Sequence, residues 1–361
     1  MANRVSVRSF ASSLLLVAAI GSPTIAAEFT GAPLFTEIDQ YSTLINDDPT
    51  DIYYPVVSEP DTSTPIILML QGALVDQADY SNYAQVVSSY GFTVVVPNNL
   101  RSLSVPGAPP FTGLFSEQDQ VNQVLEFAKL ENADLDSPVA GLLDTDSLGL
   151  LGHSFGGAVG LGSVQDNCFF ILCADSYSLP SELKAGIFYG ANFDPANTGV
   201  IPPVGNQVPT GLIFGTLDGV APPAETVTTF EQLQNPPKVL VEVEGANHYG
   251  ITNSDSFRDP VRPTLEQAIA TETIGRWSGA FLRAHVSDDA AAWDYVYTGI
   301  GDDRDATVKV TAEPVAVPEP SSAIGLIAAG VLGGVMLRRQ TLRSRHIRPL
   351  ASIKLTGPSR S

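Results

Sequence analysis

The strongest constraint on the fold is an abrupt change of backbone state near the middle of the chain. Residues 147–151 form a short apolar run, the pattern of a strand buried on both faces. It is followed at once by Gly152-His153-Ser154-Phe155-Gly156-Gly157, and then by the small-residue stretch Ala158-Val159-Gly160-Leu161, which reads as a helix. Passing from strand to helix within one residue puts Ser154 into strained backbone. Glycines must flank it to avoid clashes, and its Oγ stands exposed above the sheet. A strand that feeds directly into a helix is half of a βα unit, and chains built from such units make parallel sheets.

The rest of the body repeats the alternation. Apolar runs at 65–70, 92–96, 185–189, 211–214 and 238–243 are expected strands, with earlier ones at 36–42 and 51–57. Residues 79–90, 117–130 and 263–285 read as helices, and Val121, Val124, Leu125 and Ala128 share one stripe of the second. The expectation is an α/β fold with a mostly parallel central sheet covered by helices on both faces. From residue 301 the pattern fades into a linker, and Asp302, Asp303 and Asp305 within it read as solvated chain, not as a calcium loop.

Charge narrows the partners. Residues 28–319 carry all 39 acidic residues of the chain against ten basic ones, a net of −29. A body this acidic repels phosphate backbones, so nucleic acid is not an expected partner.

A serine needs a base, and the base needs a carboxylate to orient it. The chain has four histidines, which makes elimination effective. His153 adjoins the serine and points away from its Oγ. His346 lies near the end of the chain, beyond a long apolar run, and His285 closes a helix, where favouring the dipole is the ordinary role. His248 remains, in a loop after an apolar strand. Asp218 follows the preceding strand, so Ser154, Asp218 and His248 stand in the order expected of nucleophile, acid and base; Asp194 is the substitute acid. The backbone N–H groups of Phe155 and of Ala73, with Leu74 as the alternative to Ala73, are the expected oxyanion donors, and Gly72 lets the backbone approach a substrate. This arrangement requires no metal and no organic cofactor.

Both ends read as addresses. Residues 1–27 have a basic start (Arg4, Arg8), an apolar run and a small-residue cleavage site, the pattern of a secretory signal. An exported chain meets oxidising conditions, so Cys168 and Cys173 are expected to pair. At the other end Pro318-Glu319-Pro320 precedes an apolar run over 323–337 and then Arg338-Arg339. At 1.5 Å per residue that run spans about 22 Å, a thin membrane helix.

Two resemblances follow. The box, apolar run and arginines, in that order, resemble the PEP-CTERM sorting signal, which implies a membrane sorting protease as partner; some twenty residues continue past the arginines, where that family usually stops. Residues 65–250, through Gln71-Gly72, Tyr90-Gly91-Phe92, Asp144-Thr145-Asp146, Gly152-His153-Ser154-Phe155-Gly156-Gly157, Phe214-Gly215 with Asp218, and Gly245-Ala246-Asn247-His248, resemble the α/β-hydrolase branch of cutinase-like polyester hydrolases and chlorophyllases. That resemblance implies a secreted serine hydrolase of small-molecule or polymeric carboxylic esters. An acyltransferase, a peptidase and a catalytically silent surface module are the alternatives. Polyester-degrading members carry an aromatic residue where Ala73 stands and a tryptophan after the following strand, for which Phe193 is the nearest candidate; with Gly72 and Leu74 it makes up the expected substrate contacts. The expected organisation is a signal over 1–27, an α/β-hydrolase domain over 28–305, a linker over 306–322, a transmembrane sorting segment over 323–339 and a basic tail over 340–361.

Overall fold

The computed structural model describes residues 29, 31–58, 62–104, 109–174, 176–195, 198–298 and 307–314. The expected signal over 1–27, the expected sorting segment over 323–339 and the tail over 340–361 lie outside the described residues. Among those described, nine strands form one sheet in the order β1-β2-β4-β3-β7-β8-β9-β10-β11. These are β1 (Ile38–Ile45), β2 (Asp48–Pro55), β3 (Thr64–Leu70), β4 (Thr93–Pro97), β7 (Leu143–His153), β8 (Leu183–Tyr189), β9 (Thr210–Gly215), β10 (Lys238–Val243) and β11 (Val308–Glu313). The six from β4 through β3, β7, β8 and β9 to β10 run parallel, and antiparallel strands close both edges. The fold is therefore α/β with a large, mostly parallel central sheet.

The continuous apolar runs follow from burial on both faces. Along β3, Ile67 and Met69 join one core cluster while Ile66, Leu68 and Leu70 join the other, because successive side chains of a strand point to opposite faces. The first cluster takes Tyr83 and Val87 of α1 (Ser81–Ser88), Ile274, Trp277 and Phe281 of α5 (Gln267–Val286) and Tyr295 of α6 (Ala290–Tyr297). The second takes Val121, Val124, Leu125 and Ala128 of α2 (Gln120–Ala133), Val159 and Leu161 of α3 (Phe155–Ser163) and Phe230 of α4 (Pro223–Gln232). The stripe seen in the sequence of α2 is the face that the sheet buries.

The structure moves the expected domain boundary at 305. Residues 308–313, assigned to the linker by composition, form β11, which pairs antiparallel with β10. Val308, Val310 and Ala312 pack on the first core cluster, and Lys309 and Glu313 face outward. The period-2 alternation was present in the sequence, hidden among the flanking Asp and Pro. Also absent from the sequence reading are α4, α6 and a hairpin of β5 (Leu100–Leu103) and β6 (Phe111–Leu114), which forms a separate two-stranded sheet.

His285 does not serve the helix dipole as a cation. Its ring packs on Phe281 with centroids 4.6 Å apart, and its Nε2 lies 2.8 Å from the Tyr297 hydroxyl. Burial lowers its pKa from 6.5 to about 4, so the folded state holds it neutral. The folded pKa lies below the unfolded one, so the unfolded chain binds the extra proton between them. The contribution to stability is complete above 6.5 and is lost as pH falls towards 4. At about 1.4 kcal/mol per pH unit this amounts to about 3 kcal/mol. Denaturant titrations should show His285→Gln losing about that much less stability than the native chain on acidification over this range. Equal losses in the two proteins would remove His285 from the account.

Candidate active site

The parallel strands end on one side of the sheet, and the segments leaving the ends of β7, β9 and β10 carry Ser154, Asp218 and His248, of which Asp218 and His248 are in direct contact. Ser154 lies between β7 and α3 with φ 54° and ψ −121°, a left-handed conformation that a side chain rarely adopts. Its N–H donates to the Tyr189 carbonyl at 2.9 Å, and its carbonyl accepts from Ala158 at 3.0 Å. The neighbouring glycines are required by close packing. A Cβ on Gly152 would lie 2.8 Å from the Gly156 carbonyl oxygen, and one on Gly156 would run into the Leu70 and Gln71 carbonyls. The backbone of α3 thereby sits directly against the end of β3.

Asp218 is in the turn after β9. Its Oδ1 accepts from the N–H groups of Val220 (2.9 Å) and Ala221 (2.7 Å), and its Oδ2 lies 2.8 Å from His248 Nδ1. Both side chains are almost wholly removed from solvent. A carboxylate accepts only, so His248 Nδ1 is the donor of this bond, which leaves Nε2 as the ring nitrogen not engaged by Asp218. Gly190, at φ +56°, leaves the room for this pair: a Cβ there would lie 2.9 Å from Asp218 Oδ2 and 3.1 Å from His248 Nδ1. The His248 main chain is held as well, its N–H donating to Asp259 Oδ2 at 2.9 Å. Ser154 Oγ makes no hydrogen bond among the described residues, and its side chain is half-buried at the edge of a cavity.

His153 is fully buried, with its ring centroid 4.8 Å from that of His248. Burial, and then the neighbouring His248, hold its pKa well below 6.5, so it is neutral. Its Nε2 is 3.0 Å from the His248 carbonyl, which can only accept, so the proton sits on Nε2. Its Nδ1 therefore accepts from the Tyr80 hydroxyl at 2.9 Å, and that hydroxyl accepts from the Gly72 N–H at 2.8 Å. Burial raises the Tyr80 pKa, which keeps the donor proton in place. A directed chain of hydrogen bonds thus runs from the loop after β3 to the backbone of His248. The sequence does not mark Tyr80 as part of it: Gly72 is eight residues away but His153 is 73, and no local pattern signals that second contact.

That loop settles which amide is free. In the turn over residues 72–75, Gly72 N–H donates to Tyr80, Leu74 N–H to the Leu114 carbonyl at 2.7 Å and Val75 N–H to the Gly72 carbonyl at 3.1 Å. Ala73 N–H alone has no partner among the described residues, and Leu74 is excluded as its substitute. Phe155 N–H, the first of α3, is likewise unpaired. A Cβ on Gly72 would lie 2.8 Å from His153 Nδ1 and 3.4 Å from Ser154 Cβ, which brings this turn alongside Ser154.

Beside Ser154 opens a cavity of about 330 Å³, with Phe155, Ala158, Ile171, Leu172 and Val220 among its walls and Asn192 and Asp194 at its rim. Phe193 is not part of it. Phe193 is 1% exposed, edge-on to Phe169 with centroids 5.0 Å apart. Asp194 is not the acid beside His248: its carboxylate accepts from Thr198 and Gly199 N–H groups and organises its own loop. Leu74 is 43% exposed and borders a different hollow with Tyr249 and Arg258. Cys168 and Cys173 form a disulfide with Cα atoms 5.4 Å apart, closing the loop that presents Ile171 and Leu172 to the cavity. Among the described residues no group of His, Cys, Asp and Glu is arranged to hold a metal ion.

Comparison with known proteins bears on the C-terminal end. Residues 316–340 match the PEP-CTERM protein-sorting motif. The chain carries an export and sorting signal. Such signals anchor the C-terminus at the membrane and are recognised by a membrane sorting protease, the partner expected from the sequence. The matched residues lie outside those described, and among the described residues no helix is long and apolar enough to cross a membrane. No curated protein matches the chain.

Proposed function

We propose that the protein is an exported serine hydrolase of carboxylic esters with an α/β-hydrolase fold. The observation that carries this reading is the buried Asp218–His248 pair, 2.8 Å apart, at the same end of the sheet as a serine held at positive φ. In the reaction, His248 Nε2 accepts the proton of Ser154 Oγ as the oxygen attacks the acyl carbon. Asp218 holds the imidazole in the required tautomer and stabilises the imidazolium. The unpaired N–H groups of Phe155 and Ala73 receive the negative charge that develops on the carbonyl oxygen. His248 then returns the proton to the leaving alcohol, and water, activated by the same imidazole, hydrolyses the acyl-enzyme. The apolar walls beside Ser154 suit an uncharged organic group of the ester, and the surplus of acidic residues disfavours anionic substrates.

A fluorophosphonate probe should label the folded protein at Ser154 alone, located by peptide mass mapping. The same preparation should hydrolyse p-nitrophenyl esters, with a rate that depends on acyl length because the cavity is bounded. An unlabelled Ser154 in folded protein would overturn the reading.

A further inference from the structure

The loop after His248 joins the two halves of the site through a pair of adjacent residues. Asp259 is fully buried, and its carboxylate accepts from His248 N–H at 2.9 Å, from Val261 N–H at 2.8 Å and from Gly219 N–H, next to Asp218, at 3.4 Å. Arg258, one residue earlier, points the other way. Its two terminal guanidinium nitrogens donate to the turn after β3, Nη2 to the Ala73 carbonyl at 2.8 Å and Nη1 to the Leu74 carbonyl at 3.1 Å. The guanidinium carbon lies 5.9 Å from the centre of the Tyr249 ring.

We propose that Arg258 is a positioning residue that fixes the Ala73 N–H towards Ser154, coupling the oxyanion loop to the loop that carries the base. This rests on the hydrolase reading above. Tyr80 and Leu114 hold the amides of Gly72 and Leu74, and the Val75 amide closes the turn on the Gly72 carbonyl, but the carbonyls of Ala73 and Leu74 are held, among the described residues, by Arg258. Rotation of the turn would take the Ala73 N–H off the position of the developing charge, where aim decides its effect. A planar guanidinium binds two carbonyls at once, whereas the ammonium of a lysine is a single point donor on a flexible stem. Arg258 is exposed, so its removal leaves the core intact.

The test is steady-state kinetics on the native chain, Arg258→Ala and Arg258→Lys with one soluble p-nitrophenyl ester, each at equal folded concentration. Loss of one aimed donor is worth roughly 10²–10³ in kcat, and a loosened donor part of that, so Arg258→Ala should lower kcat by roughly 10- to 100-fold with KM changed less than about threefold. Arg258→Lys should recover only a small part. Guanidinium ion added at millimolar levels should raise kcat of Arg258→Ala and leave the native protein unchanged. A trifluoromethyl ketone, whose adduct places an oxyanion in the same position, should bind Arg258→Ala more weakly by about the factor lost from kcat/KM. The proposal is overturned if Arg258→Ala keeps native kcat, if KM alone rises (the mark of an arginine that binds substrate), or if the loss is not restored by guanidinium and follows thermal stability. A native chain that neither reacts with fluorophosphonate at Ser154 nor hydrolyses esters sinks the hydrolase reading and this one with it. A labelled, active native chain with an unaffected Arg258→Ala sinks only this one.

Discussion

Ser154→Ala and His248→Ala should each lower ester hydrolysis by roughly 10⁵- to 10⁶-fold, and the double variant should be scarcely slower than either single one. Nucleophile and base act as one unit: without the base Oγ keeps its proton, and without Oγ the base has nothing to activate at the acyl carbon. What remains is binding and the two free amides. The Ser154 variant should fold normally, because the elbow is held by backbone bonds to Tyr189 and Ala158 and the hydroxyl makes none of its own among the described residues. The His248 variant leaves the buried Asp218 Oδ2 without its Nδ1–H donor and will be less stable, so rates must be compared per folded molecule. A Ser154→Ala protein that retains more than a few per cent of kcat would remove Ser154 as the nucleophile.

Asp218→Asn should lower kcat by about 10⁴-fold while leaving the fold in place. The two oxygens of Asp218 have different duties. Oδ1 accepts from Val220 and Ala221 N–H groups, so in the variant the amide oxygen is held there and the NH₂ group is turned towards His248 Nδ1. Two donors then face each other unless Nδ1 gives up its proton, and the neutral ring must carry it on Nε2. In that tautomer Nε2 cannot accept from Ser154. Proton NMR of the ring N–H should show the change of site, and kcat should fall with little change in thermal stability. Retention of near-native kcat would mean that Asp218 serves only the turn before α4.

The depth at which each part of the site was legible follows from how local its cause is. Gly152, Gly156 and Gly157 betray the elbow because the clash they avoid is with residues adjacent in the chain or across one strand, and the glycine spacing records it directly. That Asp218 and His248 meet is anticipated by their positions after strands and by the scarcity of histidine, both of which survive in one dimension. Phe193 faces the core and not the cavity, and an irregular loop has no fixed period in the sequence to say which of its residues turns inward. Residues 308–313 have the composition of a linker, but Val308, Val310 and Ala312 carry the period of an edge strand, and the alternation prevails once β10 offers a free edge.

The sequence by itself determined the α/β alternation, the strained serine between strand and helix, the chain order of the three polar residues and the sorting signal at 316–340, since each is written in residues near one another in the chain. Only the tertiary structure decided that Leu74 N–H is taken by Leu114 while Ala73 N–H has no partner among the described residues, that Tyr80 and His153 connect the turn after β3 to His248, and that Arg258 bonds to that same turn. The physical reason is the same in each case. A hydrogen bond between residues that are distant in the chain depends on which strands end side by side, and that order is a property of the packed sheet, not of any one segment.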